Sequence, residues 1–273
     1  METTAELRES DLTSPTDTWS GFVTREGIPV PQCSWSDWCA IMSRLQQQDD
    51  LSPLQSVETA GFSLAMVIRF ALGHTSAGGA LSVFAADSFF GWIAVAGARH
   101  LLNSGCSVRV LLPQYNSDFS PIFTQLLTPL DQRGATLYGW SSPEWGEIDN
   151  VVESSHAVLC GLADAQRVAP QFHNSFAEQM NESRVPVHCV GAPIGISPEV
   201  TPGVTEKLFA SSTLSVGLPL TSLQNGPDMV GRHYLCDAGW SLADYLQLGY
   251  GERPLFCEQP VVQLQAPPDT ENS

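Results

Sequence analysis

Five short apolar runs punctuate the middle of the chain: Ala80–Ala85 (ALSVFA), Ser107–Leu112 (SVRVLL), Ala157–Gly161 (AVLCG), Val187–Gly191 (VHCVG) and Thr213–Gly217 (TLSVG). Their Val, Leu and Cys content, with little polar alternation, is the pattern of strands buried on both faces. Segments with apolar residues at helical spacing lie beside them. Trp92–Ser104 ends in Asn-Ser-Gly, a helix-stop signal, and Phe119–Arg133 and Val168–Ser183 follow the same rhythm. Upstream, Trp35–Gln48 and Pro53–Leu72 predict two more helices. Repeated strand–helix units imply right-handed crossovers, and so an α/β fold: a three-layer α/β/α sandwich around a Rossmann-like, mostly parallel sheet.

The two ends lack this periodicity. Residues 1–31 are rich in Ser, Thr, Asp and Glu and predict a flexible acidic arm; residues 260–273, with LQAPPDTENS, predict a disordered tail. No Gly/Ser linker or internal repeat divides the stretch between them, so residues 32–259 are expected to form one domain. With 273 residues, 43% of them hydrophobic, the chain can bury a substantial core.

Charge narrows the partners. Twelve basic against twenty-nine acidic residues give a net charge of −17, which disfavours nucleic acid and anionic membrane surfaces. No apolar run approaches the ~18 residues of a membrane span. The polar, acidic N-terminus lacks the basic and apolar regions of a signal peptide. Seven scattered cysteines form no CxxC pair or Cys/His cluster at metal-ligand spacing, so a reducing cytoplasm is expected and no metal. Lys207 is the one lysine; because it precedes a strand, it is expected at the end of the sheet away from the binding edge.

In such sheets ligands bind beyond the carboxyl ends of the strands, near a switch in strand order. The informative loops are therefore 86–91, 113–120, 162–167, 192–201 and 218–222.

Five segments then agree, in order, with one known family. Ser56–Ala65 (SVETAGFSLA) resembles its early "xxExAGxxxA" helix, and Ala98-Arg99-His100-Leu101 with Gly105 and Val108–Pro113 is similar to its "ARHL…G…V.V..P" unit. Val187–Gly195 (VHCVGAPIG) stands where the family writes "V.aVDIPSG", Ser212–Pro219 (STLSVGLP) where it writes "ATVTFGAP", and Leu235–Gly239 (LCDAG) resembles the closing "vaDIG". From about residue 54 to 240 the chain thus resembles the YjeF N-terminal domain family, whose enzymatic members are NAD(P)H-hydrate epimerases.

The departures fall on the chemistry. The resemblance implies a "GNNGGDG" loop after the first strand that holds ligand phosphates at a helix N-terminus. Asp87-Ser88-Phe89-Phe90-Gly91 stands there instead, with bulky rings and a carboxylate in place of glycines. Asp87 or Ser88 reads as an ordinary helix N-cap. The family's catalytic aspartate falls at Gly191 and its serine at Ile194, leaving only Pro193 and Gly195 of that motif. Its lysine after the second strand falls at Gln114, its aspartate at the end of the third strand at Cys160, and its "FGAP" lysine at Leu220.

Epimerising a hydrated nicotinamide requires a carboxylate and a positioned acid or base, which Gly191 and Gln114 do not supply. The expectation is a catalytically impaired relative acting as a binding or assembly scaffold; the alternative is an active epimerase using replaced residues. The degenerate pocket comprises Asp87, Ser88, Phe89, Phe90, Gly91, Cys160, Pro193 and Gly195, with an NADP-type nucleotide as the ligand the resemblance implies. A homodimer and a protein partner are also expected from it.

Other residues read plainly. His100 fits a helix surface and His188 a satisfied core position, while His156, His173 and His233 show no nucleophile arrangement. Cys160 and Cys189 read as small buried hydrophobes, with Cys160 alone at a position that could face the crevice. Asp164, Arg167 and Glu199 read as solvated loop surface. Phe89, Phe90 and Trp92 either line an apolar pocket or cap the sheet edge.

Overall fold

The computed structural model describes residues 21–47, 51–74, 78–113, 118–139, 150–196, 202–247 and 255–266. The five predicted runs form parallel strands: β3 (Ala80–Ala85), β4 (Ser107–Leu112), β6 (Ala157–Gly161), β7 (Val187–Val190) and β8 (Ser212–Val216). To them the structure adds β1 (Phe22–Thr24), β2 (Pro29–Val30), β5 (Thr136–Gly139), β9 (Arg232–Cys236) and β10 (Val261–Gln265). The sheet runs β2-β1-β10-β9-β8-β7-β6-β3-β4-β5, parallel from β9 to β5 and antiparallel at the β10, β1 and β2 end.

Two of the expected boundaries are corrected by these strands. β1 and β2 lie inside the predicted arm, and β10 lies inside the predicted tail. Their pattern is short and polar on one face, as an antiparallel edge allows, so they carry none of the long apolar signal of the central strands. Residues 1–20 and 267–273 lie outside the described residues.

The helices are α1 (Trp35–Gln47), α2 (Pro53–Met66), α3 (Phe89–Asn103), α4 (Pro121–Gln132), α5 (Pro170–Glu182), α6 (Pro227–Val230) and α7 (Leu242–Gln247). A π-helical turn, Val67–Ala71, prolongs α2. Two of the helices have their start written locally. Ser52 and Gln55 close a capping box on α2, and Ser120 caps α4 by accepting from the Phe123 amide.

The three layers follow from alternation along the strands. Leu81, Val83, Leu159 and Val110 face a core shared with α1–α4, where Trp38, Leu64, Ile93 and Phe123 are buried. Phe84, Val158, Cys160 and Cys189 point to the other face and pack on Phe176, Ala177 and Met180 of α5. Trp38 Nε1 donates to the Val216 carbonyl at 2.9 Å, pinning α1 over the end of β8.

Candidate functional site

β3 is the first parallel strand in sequence and lies between β4 and β6. Strand order reverses there, so the crevice beyond the carboxyl ends of β3 and β6 is the switch point at which such sheets bind ligands. A cleft of about 490 Å³ lies at this point. Three of the predicted loops meet in it: Ala86, Asp87 and Ser88 after β3, Asp118 and Ser120 before α4, and Asp164 to Arg167 after β6. Trp35 and Trp92 complete its wall.

Asp87 is a staple and not the N-cap expected. Its Oδ1 accepts from Trp92 Nε1 and from the Ser120 hydroxyl, both at 2.7 Å, and its Oδ2 accepts from the Ser120 amide at 2.6 Å. It thereby ties the end of β3 to the starts of α3 and α4. Helix α3 begins at Phe89, three residues earlier than its periodicity predicts, because the aromatic pair Phe89-Phe90 joins the helix. Ser88 holds the N-cap position with extended backbone, yet its side chain makes no capping bond.

The cap comes from another loop. The Phe90 amide donates to Asp164 Oδ2 at 3.3 Å, so a carboxylate sits at the N-terminus of α3, where a helix favours negative charge. Burial pushes the Asp164 carboxyl up to about 6, and the neighbouring Ser88 hydroxyl and Phe90 amide oppose that rise. Asp164 Oδ1 and Ser88 Oγ are both withdrawn from solvent beside each other. This corrects the expectation of a solvated loop. Leu162, Ala163, Ala165 and Val168 around Asp164 are buried, and they draw the loop back under α3. Arg167, by contrast, is exposed.

Phe90 is the centre of an aromatic plug. Its ring lies 5.5 Å from Trp35 and 5.7 Å from Trp38, and Phe89 meets Trp38 edge-on at 5.0 Å. Gly191 has φ +80°, and a Cβ built there would fall 2.2 Å from the Phe90 ring. The ring therefore fills the space a side chain at position 191 would use. Gly91 fits a different constraint: a Cβ there would fall 2.0 Å from the Ala86 carbonyl oxygen.

The remaining predicted positions lie apart from the cleft lining. Cys160 is a small buried hydrophobe, as read, and not the pocket position it was also offered as: it lies on the α5 face opposite Cys189 on the next strand, and the hydrogen bond with Cys160, together with burial, raises the Cys189 thiol. Ile194 and Leu220 are core residues. Pro193 is buried, and Gly195 packs against the Glu206 carbonyl and Lys207. Lys207 thus lies beside the loop after β7, because the 202–210 segment runs back along it through the Leu208 amide to the Ile194 carbonyl at 3.0 Å. The expectation that it sits at the far end is corrected. Gln114 and Glu199 lie outside the described residues.

The histidines are satisfied core or packing groups. His188 pairs with the Ser212 hydroxyl at 2.9 Å and with His74 at 3.3 Å; His233, which showed no serine neighbour in sequence, pairs with Ser215 of β8 at 2.8 Å. Burial pushes both His188 and His233 down to about 3. His100 packs on Phe62 and the Arg99–Glu58 ion pair.

Sheet order and crevice define a doubly wound, Rossmann-like α/β protein. No family model matches the chain. Over 235 residues it is 27% identical to the NAD(P)H-hydrate epimerase of Dehalogenimonas lykanthroporepellens, covering 84% of this chain and 90% of that protein. Its fold is similar to the crystal structure of yeast ynu0, YNL200c, with a TM-score of 0.69 at 17% identity over 86% of this chain and 100% of that one. The resemblance read from the sequence is borne out as a likeness: over most of its length the chain is similar in sequence to an NAD(P)H-hydrate epimerase, and its fold is similar to that of the yeast protein. No helix among the described residues is long and apolar enough to cross a membrane.

Proposed function

We propose that this chain is a relative of the NAD(P)H-hydrate epimerases that has lost turnover and keeps the scaffold as a binding or assembly module. The observation that carries this reading is the Phe90 ring over Gly191. Where the resemblance implies a catalytic carboxylate, the site holds no side chain, and an aromatic ring fills the space one would occupy. Removing one acid, base or electrostatic stabiliser of this kind costs about 10²–10⁴ in rate.

An NADP-type nucleotide does not fit the cleft. The amide at the start of α3 that would meet a phosphate already binds the Asp164 carboxylate, and Asp87 adds a second negative charge beside it. Anion against anion at that distance is repulsive. No catalytic step is therefore assigned to the nucleotide here. The reading extends to a cytoplasmic homodimer with a protein partner; the free cysteines among the described residues support a reducing compartment.

Turnover of the hydrated NADPH epimers, measured beside an intact epimerase, tests the proposal. The expected result is no turnover above background. A rate near the control overturns it and directs attention to Asp164 as a rebuilt acid or base. Light scattering tests the homodimer, which a monomeric mass at working concentration removes.

A further inference from the structure

Another cavity, of about 450 Å³, lies at the antiparallel end of the sheet. Strands β9 and β10 with the turn after β1 form one side of it, and the end of α2 with its π-helical turn forms the other. It shares no lining residue with the cleft at the switch point. Its volume is in the range of sites for small ligands.

Register sets the strand side. Tyr234 of β9 pairs with Gln263 of β10, and Val261, two residues before Gln263, faces the same way, so all three reach the cavity. Tyr234 is only 7% exposed, yet its hydroxyl has no hydrogen-bond partner among the described residues and is not among the polar atoms sealed from solvent. A buried phenol normally finds a partner. This one is left open toward the cavity.

The helical side is apolar. The Leu72 amide donates to the Val67 carbonyl at 3.0 Å, the five-residue step of a π turn, and single π turns ending or interrupting α-helices are frequent at functional sites. This turn sets Phe70, 61% exposed, at the cavity's edge, with the Arg69 guanidinium 4.8 Å from its ring centroid. Met66 lies one turn before it and also lines the cavity. Arg25 and Glu26, adjacent and of opposite sign, are the charged residues of the lining, which therefore carries no net charge.

We propose that this cavity binds a small uncharged aromatic molecule bearing one N–H or O–H group, whose ring packs on Phe70, Met66 and Val261 while its donor bonds to the Tyr234 hydroxyl oxygen. A flat apolar body uses the Phe70 ring and the polarisable Met66 sulfur. One polar group matches the one unpaired phenol, and a lining without net charge favours neither anion nor cation. The inference is independent of whether the crevice turns over a substrate.

The probe is indole, titrated into the full chain and followed by calorimetry and saturation-transfer NMR. 1-Methylindole has the same ring system without the donor. The expected result is saturable binding of indole below about 1 mM, with 1-methylindole about threefold to tenfold weaker. Tyr234→Phe should weaken indole by about that factor and leave 1-methylindole unchanged, a difference that a merely structural role of the hydroxyl would not produce. Phe70→Ala, at an exposed position, should weaken both about fivefold or more.

No saturable binding of indole overturns the proposal. So do equal affinities for the two indoles, a Tyr234→Phe effect common to both, or an affinity unchanged by Phe70→Ala. Should Tyr234→Phe fail to fold, the discrimination between the two indoles and the Phe70 variant still decide it. Binding of indole-3-acetate or tryptamine tenfold tighter than indole overturns the uncharged class.

Discussion

The ring of Phe90 lies over the α-carbon of Gly191, so that a Cβ at position 191 would approach it to 2.2 Å. Gly191 also has φ +80°, a conformation that side chains other than glycine adopt at a cost. Gly191→Asp therefore combines backbone strain with overpacking and should lose about 2–5 kcal/mol of stability. Adding Gln114→Lys should still give no epimerase activity. Phe90→Ala in the same chain removes the clash, so the double variant Gly191→Asp with Phe90→Ala should be more stable than the sum of its single effects by about 1 kcal/mol or more. Denaturant titration of the four proteins measures this coupling, and strict additivity would refute the packing argument.

This pair also shows what the sequence makes legible. The five central strands are continuous apolar runs, and a strand buried on both faces has no other way to be written. The loops at the crevice follow from strand order alone. The capping of α3 by Asp164 was not legible, because its partner lies 74 residues away and the flanking Leu162, Ala163 and Ala165 look like any loop between strand and helix until packing buries them. Asp87 is similar: as a residue before a helix it reads as a cap, and only the fold brings Ser120 within reach. Lys207 misled because a residue before a strand is assigned to the lower end of the sheet, whereas its segment doubles back along the β7 loop.

Asp87 joins three structural elements through bonds to Ser120 and Trp92. Asp87→Ala leaves those donors without their acceptor, and buried donors left unpaired are costly. The expected loss is about 2–4 kcal/mol, less than the sum of three separate charged hydrogen bonds because the group acts as a unit. Asp87→Asn keeps one acceptor oxygen and should lose about half as much. Urea unfolding followed by tryptophan emission checks both; an Asp87→Ala midpoint equal to that of the parent would show that the staple carries no stability.

The short edge strands matter more than their length suggests. Phe22 and Val30, with Val262 and Leu264, are buried, and Phe22 meets His233 of β9 edge-on at 4.8 Å. A chain limited to residues 32–259 lacks all four side chains and leaves β9 as a new open edge. At ~1.5–3 kcal/mol for each buried apolar side chain, the loss is comparable to the ~5–15 kcal/mol of a whole domain. That chain should be unfolded or aggregated at 25 °C, while residues 21–266 should melt cooperatively. Circular dichroism and sedimentation distinguish the two, and equal melting of both would deny β1, β2 and β10 a place in the stable sheet.

Acid should destabilise the protein through its buried histidines. His188 and His233 have pKa values near 3 in the fold, well below the ordinary 6.5. Between those limits the unfolded chain takes up two protons that the folded chain refuses, so stability falls as pH drops below 6.5. Asp164 acts in the opposite sense, because its folded value of about 6 lies above the ordinary 3.8 and the folded state gains a proton first on acidification. Near pH 5 the net difference is one proton, which gives a slope of ~1.4 kcal/mol per pH unit toward lower stability in acid. His74 and His173, also lowered by burial, steepen it. Urea midpoints at pH 7.5, 6.0 and 5.0 should fall in that order. His188→Gln should flatten the curve and Asp164→Asn should steepen it, and a profile level from 7.5 to 5.0 would show that these groups are open to protons in the folded state.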